Sequence, residues 1–82
     1  MNKINWSTKS IKQLRKIPTA AHIVKKAGEL SEFPECQHTK RLSNHKYTYR
    51  LRVGNYRVFF EFNGSIKIVT IEEVKKRDEN TY

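Results

Sequence analysis

The chain has few of the residues that would fix it by covalent or metal chemistry. It holds one cysteine, Cys36, which excludes an internal disulfide and fits a reducing compartment. The three histidines, His22, His38 and His45, have no zinc-like spacing with Cys36, so no metal site is expected. With three glycines and two prolines there is no Gly-rich phosphate loop, and neither HExxH nor a credible Ser-His-Asp set occurs. No cofactor is implied. No apolar run approaches the ~18 residues of a membrane span. The opening MNKINW is no signal peptide. The expectation is a cytoplasmic protein with no membrane partner.

Acidic residues are also scarce, with eight Asp+Glu against seventeen Lys+Arg and a formal charge of +9. Residues 1–41 carry nine basic and three acidic groups and residues 42–82 carry eight and five, so no detachable basic tail explains the excess. Such a balance favours a polyanionic partner, either nucleic acid or an acidic protein segment. Eighty-two residues set the scale at one domain, 1–82, with a single sheet and a helix or two. Nine aromatics allow a modest core with a reserve of only a few kcal/mol.

What is present is concentrated between Tyr47 and Phe62, YTYRLRVGNYRVFFEF. Strand side chains alternate. Tyr47, Tyr49, Leu51 and Val53 are expected on one face of a first strand, and Thr48, Arg50 and Arg52 on the other. On the second strand Tyr56, Val58, Phe60 and Phe62 alternate with Arg57, Phe59 and Glu61. Gly54-Asn55 between them suits a tight hairpin turn. One face closes a core and the other lines up arginines.

The remaining elements follow in order. Lys3 to Trp6 reads as a short strand. Ser7 or Thr8 offers an N-cap, and Ile11, Leu14 and Ile17 make the buried stripe of a first helix opposite Lys9, Lys12, Arg15 and Lys16. Pro18 ends it. Ala20, Ile23, Val24, Ala27 and Leu30 follow the pattern of a second amphipathic helix, off whose stripe His22 falls as a surface residue. Residues 33–40 carry Pro34 and no period, which predicts a loop. After the Asn63-Gly64 turn, Ile66 to Ile71 reads as a last strand that Glu72, Glu73 and Val74 extend. The order β-α-α-β-β-β predicts an α+β fold, an antiparallel sheet with an N-terminal helical hairpin on one face.

Arg50, Arg52 and Arg57 share the open sheet face, and Arg77 and Tyr82 can approach from the last segment. Pairing with Glu61, Glu72 or Glu73 would explain one such arginine. Four in a third of a small basic domain fit a different task. They suit holding a phosphodiester and stabilising charge that develops on phosphorus.

The run YRLRVGNYRVFF, preceded by Lys40-Arg41-Leu42 and followed by VKKRDENTY, closely resembles the RelE/HigB branch of bacterial toxins in type II toxin–antitoxin pairs, within the RelE/ParE superfamily. The resemblance implies the RelE-like microbial-ribonuclease-type fold. It also implies a ribosome-dependent mRNA endoribonuclease held inactive by a cognate antitoxin, working with mRNA in the decoding site of the 70S ribosome. A toxin–antitoxin hetero-oligomer would bind operator DNA through the antitoxin. By position, Arg57 looks like the arginine on the scissile phosphate, Arg77 like the second catalytic arginine, and Tyr82 like the tyrosine that stacks on or orients a base. Arg50 and Arg52, with Lys40, Arg41, Lys46 and Lys76, fill the expected phosphate-binding positions. Thr48 stands where RelE-like chains often carry a lysine. No histidine falls on a strand face, so the general base is unassigned, with His45 and Lys46 its candidates by neighbourhood. The alternatives are a ParE-like DNA gyrase inhibitor without nuclease activity and a non-catalytic nucleic-acid-binding module.

Overall fold

The hairpin at the centre of the sequence is also at the centre of the sheet. In the computed structural model, which describes residues 1–77, it consists of β3 (Tyr49–Val53) and β4 (Tyr56–Asn63). The two residues between them turn the chain, with Gly54 at φ +55, where glycine meets no Cβ penalty. Before it come β1 (Lys3–Trp6), α1 (Thr8–Leu14), α2 (Ala20–Ala27), a 3-10 turn (Gly28–Glu32) and β2 (Thr39–Arg41), and after it β5 (Ile68–Lys76). The strands form one sheet in the order β1-β5-β4-β3-β2. The architecture is α+β.

Two features correct the antiparallel four-strand expectation. The sheet is mixed, because β1 runs parallel to β5 with Ile4 opposite Val69 and Trp6 opposite Ile71. Alternation within a strand says nothing about which neighbour it takes or in which direction. The stretch expected as a loop also contains a strand, since Thr39 to Arg41 pairs with Leu51 to Tyr49. Thr-Lys-Arg has no apolar alternation, so its extended form comes from pairing to β3 rather than from its own pattern.

The last strand begins later and ends later than its pattern indicates. Asn63 Oδ1 accepts from the Ser65 and Ile66 amides and Lys67 sits at φ +54, so Ile66 belongs to the turn and is exposed. Further on, Phe59 pairs with Glu73 but Phe60 with Ile71. The bulge adds one residue to β5, and Val69, Ile71 and Val74 thereby all reach the core despite their uneven spacing.

The core lies between the sheet and α2. Ile23, Ala27 and Leu30 from the helical segment meet Leu51, Val53, Val58, Phe60, Val69, Ile71 and Val74, with Phe33 closing one end. Val24, expected on the same stripe, is instead 45% exposed.

Helix α1 departs most from its expected role. Ile11 is 42% exposed, while Ser10 is fully buried. The reason lies in the sheet edge, for β1 covers β5 only as far as Ile71. Beyond that point α1 supplies the partners an open edge requires. Ser7 caps the helix by accepting from the Ser10 amide and donates its hydroxyl to the Glu72 carbonyl. Ser10 Oγ donates to the Ile71 carbonyl, and Gln13 Oε1 accepts from the Val74 amide at 2.6 Å. The helices are thus anchored on different strands, α1 on β5 and α2 on β3. Among the described residues, no helix is long and apolar enough to cross a membrane.

Candidate functional site

Register places the site on the sheet face opposite the core. Two rows of side chains cross it. In one, Lys40, Arg50, Phe59 and Glu73 are successive partners. In the other, Arg52, Arg57 and Lys75 stand side by side. Strands lie about 4.8 Å apart, and like charges directly opposite one another destabilise a sheet. A bound anion would offset that cost.

Arg77 joins this row through the backbone. Its amide donates to the Asn55 carbonyl at 2.6 Å, tying the end of β5 to the hairpin turn. The result is a cleft of about 60 Å³ lined by Arg50, Arg52, Gly54, Tyr56, Arg57 and Arg77. Three guanidiniums of the central hairpin and a fourth from the end of β5 line one concavity, and a guanidinium is a planar fork of donors suited to phosphate oxygens.

Beside the cleft is an aromatic cluster that the sequence reading missed. Phe59 is 4% exposed although it faces away from the core, because two rings cover it. His45 stacks on it at 4.9 Å and 20°, and Tyr47 at 5.6 Å and 26°. Residues 43–48 bend rather than continue β3, which carries Tyr47 to the arginine face instead of the expected core face. The Thr48 amide, donating to Glu61 Oε2 at 2.9 Å, holds that bend. The expectation that no histidine reaches the sheet face is overturned by the same bend. An aromatic residue between Arg57 and Glu61 on a polar strand face was the available signal for this cluster.

The cluster has a defined electrostatic arrangement. Tyr47 donates its hydroxyl to Glu73 Oε1 at 3.1 Å, and Lys9 Nζ lies 2.6 Å from the same oxygen. The Lys9 bond holds the Glu73 carboxyl below the usual carboxylate range, helped by Tyr47, and Glu73 in turn raises the Lys9 ammonium. Glu73 therefore stays anionic at neutral pH and orients the phenol. His45 Nδ1 accepts from the Tyr47 amide at 3.0 Å, which assigns the proton of the neutral ring to Nε2. The imidazole thus has a donor available.

Of the remaining expected residues, Lys40 shares the site face and lies opposite Arg50. Arg41 is opposite Tyr49, and Lys76 opposite Tyr56, which puts both on the helix-bearing face. Lys75 takes the place expected for Lys76. Lys46 is exposed, its ammonium 5.4 Å from the Tyr47 ring centroid. Tyr82 lies outside the described residues. Burial pushes the Cys36 thiol up, which keeps it a thiol rather than a nucleophilic thiolate. Among the described residues no group of three or more His, Cys, Asp or Glu side chains could hold a metal ion.

The family model for the ParE toxin of the type II toxin–antitoxin system parDE matches residues 4–81. Solved structures give a consistent picture of the fold. A chain of the toxin–antitoxin complex RelBE2 from Mycobacterium tuberculosis superposes with a TM-score of 0.81 at 28% identity, covering 93% of this chain and 98% of that one. A chain of the archaeal RelE–RelB complex from Pyrococcus horikoshii OT3 gives 0.78 at 22% identity, over 95% and 97% of the two chains. The isolated E. coli RelE toxin gives 0.78 at 18% identity, over 99% and 89%. No curated protein matches the sequence significantly.

Proposed function

The chain belongs to the ParE toxin family of type II toxin–antitoxin systems, and from that premise we propose that it is a ribosome-dependent mRNA endoribonuclease, neutralised by a cognate antitoxin. The cleft lined by Arg50, Arg52, Arg57 and Arg77 carries this reading. A site built almost wholly from guanidiniums suits a phosphodiester whose charge increases on the way to the transition state.

In the proposed reaction the ribose 2′-oxygen loses its proton and attacks the adjacent phosphorus. The bond from phosphorus to the 5′-oxygen breaks and that oxygen takes up a proton from solvent, in exchange for the one the 2′-hydroxyl releases to solvent, leaving a 2′,3′-cyclic phosphate and a 5′-hydroxyl. Arg57 and Arg77 hold the non-bridging oxygens, while Arg50, Arg52 and Lys40 hold flanking phosphates. His45 donates from Nε2 toward charge building on oxygen, and Tyr82 stacks on a base. With Nδ1 engaged by the Tyr47 amide, His45 is not poised as a base, and Glu73 is held as a stabilised anion by Lys9. Proton removal is therefore slow on free RNA and depends on the ordered mRNA and ribosome. The antitoxin is expected to present an acidic segment to this face, in a complex that weakens as salt rises.

The match to the ParE model favours a second reading, gyrase inhibition without nuclease chemistry. Assaying the purified toxin in parallel on translated message and on gyrase supercoiling separates the two. The expected result is codon-positioned cuts in ribosome-bound mRNA with supercoiling intact. Supercoiling inhibition without cleavage would establish the second reading, and neither effect would leave a binding module.

A further inference from the structure

A second and larger cleft lies around the corner of the sheet from the arginines. It has a volume of about 280 Å³ and is lined by His22, Lys26, His38, Arg52, Val53 and Gly54. His22 and Lys26 are four residues apart on α2 and so share one helix face. His38 precedes β2 and is held at φ +67, a conformation uncommon for residues with a side chain. Its carbonyl accepts from the Arg52 amide at 2.9 Å, which fixes the His38 backbone beside β3. Arg52 and Gly54 line both this cleft and the arginine cleft, so the two form one continuous surface.

We propose that this cleft binds a second phosphate of the RNA backbone, next along the strand from the one held by Arg57 and Arg77. The inference rests on the ribonuclease reading and deepens it, by giving the substrate a path over the corner of the sheet and onto α2. The lining chemistry selects the ligand. Two imidazoles alone would suit a divalent metal, but Lys26 and Arg52 beside them repel a cation and attract an anion. Among the described residues no carboxylate lines it. Lys26 does contact Glu29, at 3.5 Å with both side chains about half exposed, and a pair so solvated yields readily to a phosphate. An acidic peptide would need apolar anchors, and among the described residues Val53 is the only apolar side chain in the lining. RNA needs none beyond the phosphate track.

The test measures the purified full chain binding fluorescent 2′-O-methyl RNA, which cannot be cleaved, as a dinucleotide and as a hexanucleotide over a range of salt. The variant is Lys26→Ala combined with His38→Gly, since glycine accepts φ +67 without strain. Wild type should bind the hexanucleotide on the order of tenfold more tightly than the dinucleotide. The variant should lose most of that advantage, with a salt slope shallower by about 0.7 for each phosphate contact removed. Its cleavage rate on saturated ribosomes should be unchanged, whereas Arg57→Ala should lose that rate. Equal length dependence and equal salt slopes in variant and wild type would overturn the second site while leaving the nuclease reading intact. A variant that binds RNA normally but its antitoxin weakly would make the cleft a protein contact, and would overturn it as well. Absence of cleavage by wild type would count against the nuclease reading alone.

Discussion

Arg57→Ala should lower ribosome-dependent message cleavage by ~10²–10³-fold, the loss typical when one preorganised donor to a developing charge is removed. Arg57 stands between Arg52 and Lys75 on the site face and lines the arginine cleft with Arg77. Its replacement removes a fork proposed to hold phosphate but takes nothing from the hydrophobic core, so the thermal midpoint should change little. Arg57→Lys should recover only part of the rate, because an ammonium is a point charge and cannot reproduce the bidentate geometry. Single-turnover cleavage on stalled ribosomes, read beside thermal unfolding, checks both halves. A variant that cleaves at the wild-type rate would remove Arg57 from the chemistry. A lost rate that tracked a lost fold would make the residue structural.

The largest effect on stability should come from Phe60→Ala. The Phe60 ring is fully buried, meets Phe33 edge-on at 5.1 Å and stacks on Tyr49 at 5.4 Å. Truncating such a ring costs ~3–5 kcal/mol, since the cavity left behind collapses only in part. A domain this small holds a reserve of the same order. The free variant should therefore be largely unfolded at room temperature. Co-expression with the antitoxin should recover soluble protein, because a partner that binds only the folded state stabilises it by mass action. Urea denaturation of both proteins gives the number directly. A difference below ~1 kcal/mol would mean that the core relaxes around the loss far better than its packing implies.

Much of this arrangement was legible because the central hairpin keeps strict period two on both strands. That period alone put Arg50, Arg52 and Arg57 on one face and Leu51, Val58 and Phe60 on the other, as the register confirms. The errors begin where parity depends on something outside the strand. The bend at residues 43–48 reverses Tyr47, and the bulge beside Glu73 resets the phase of β5. Lys75 consequently faces the arginines and Lys76 does not. Arg41 was misplaced for a related reason, since nothing in Thr-Lys-Arg announces a strand or its pairing. Helix α1 was misread because its task is hydrogen bonding. Ser10 and Gln13 complete the backbone of β5, and no hydrophobic pattern reports that role. The second cleft was hidden too, since His22, His38 and Arg52 meet only once α2 lies across the end of β3.

The most direct measurement uses a ribosome halted with one defined codon in its decoding site. The message is either all ribose or carries a single 2′-deoxy sugar on the 5′ side of the expected cut. Transesterification in the arginine cleft predicts rapid cleavage of the all-ribose message, a 2′,3′-cyclic phosphate end, and no cleavage at the deoxy-substituted bond. Naked all-ribose message should be cut far more slowly. Cleavage at the deoxy position, or equal cutting of naked and ribosome-bound RNA, would contradict it.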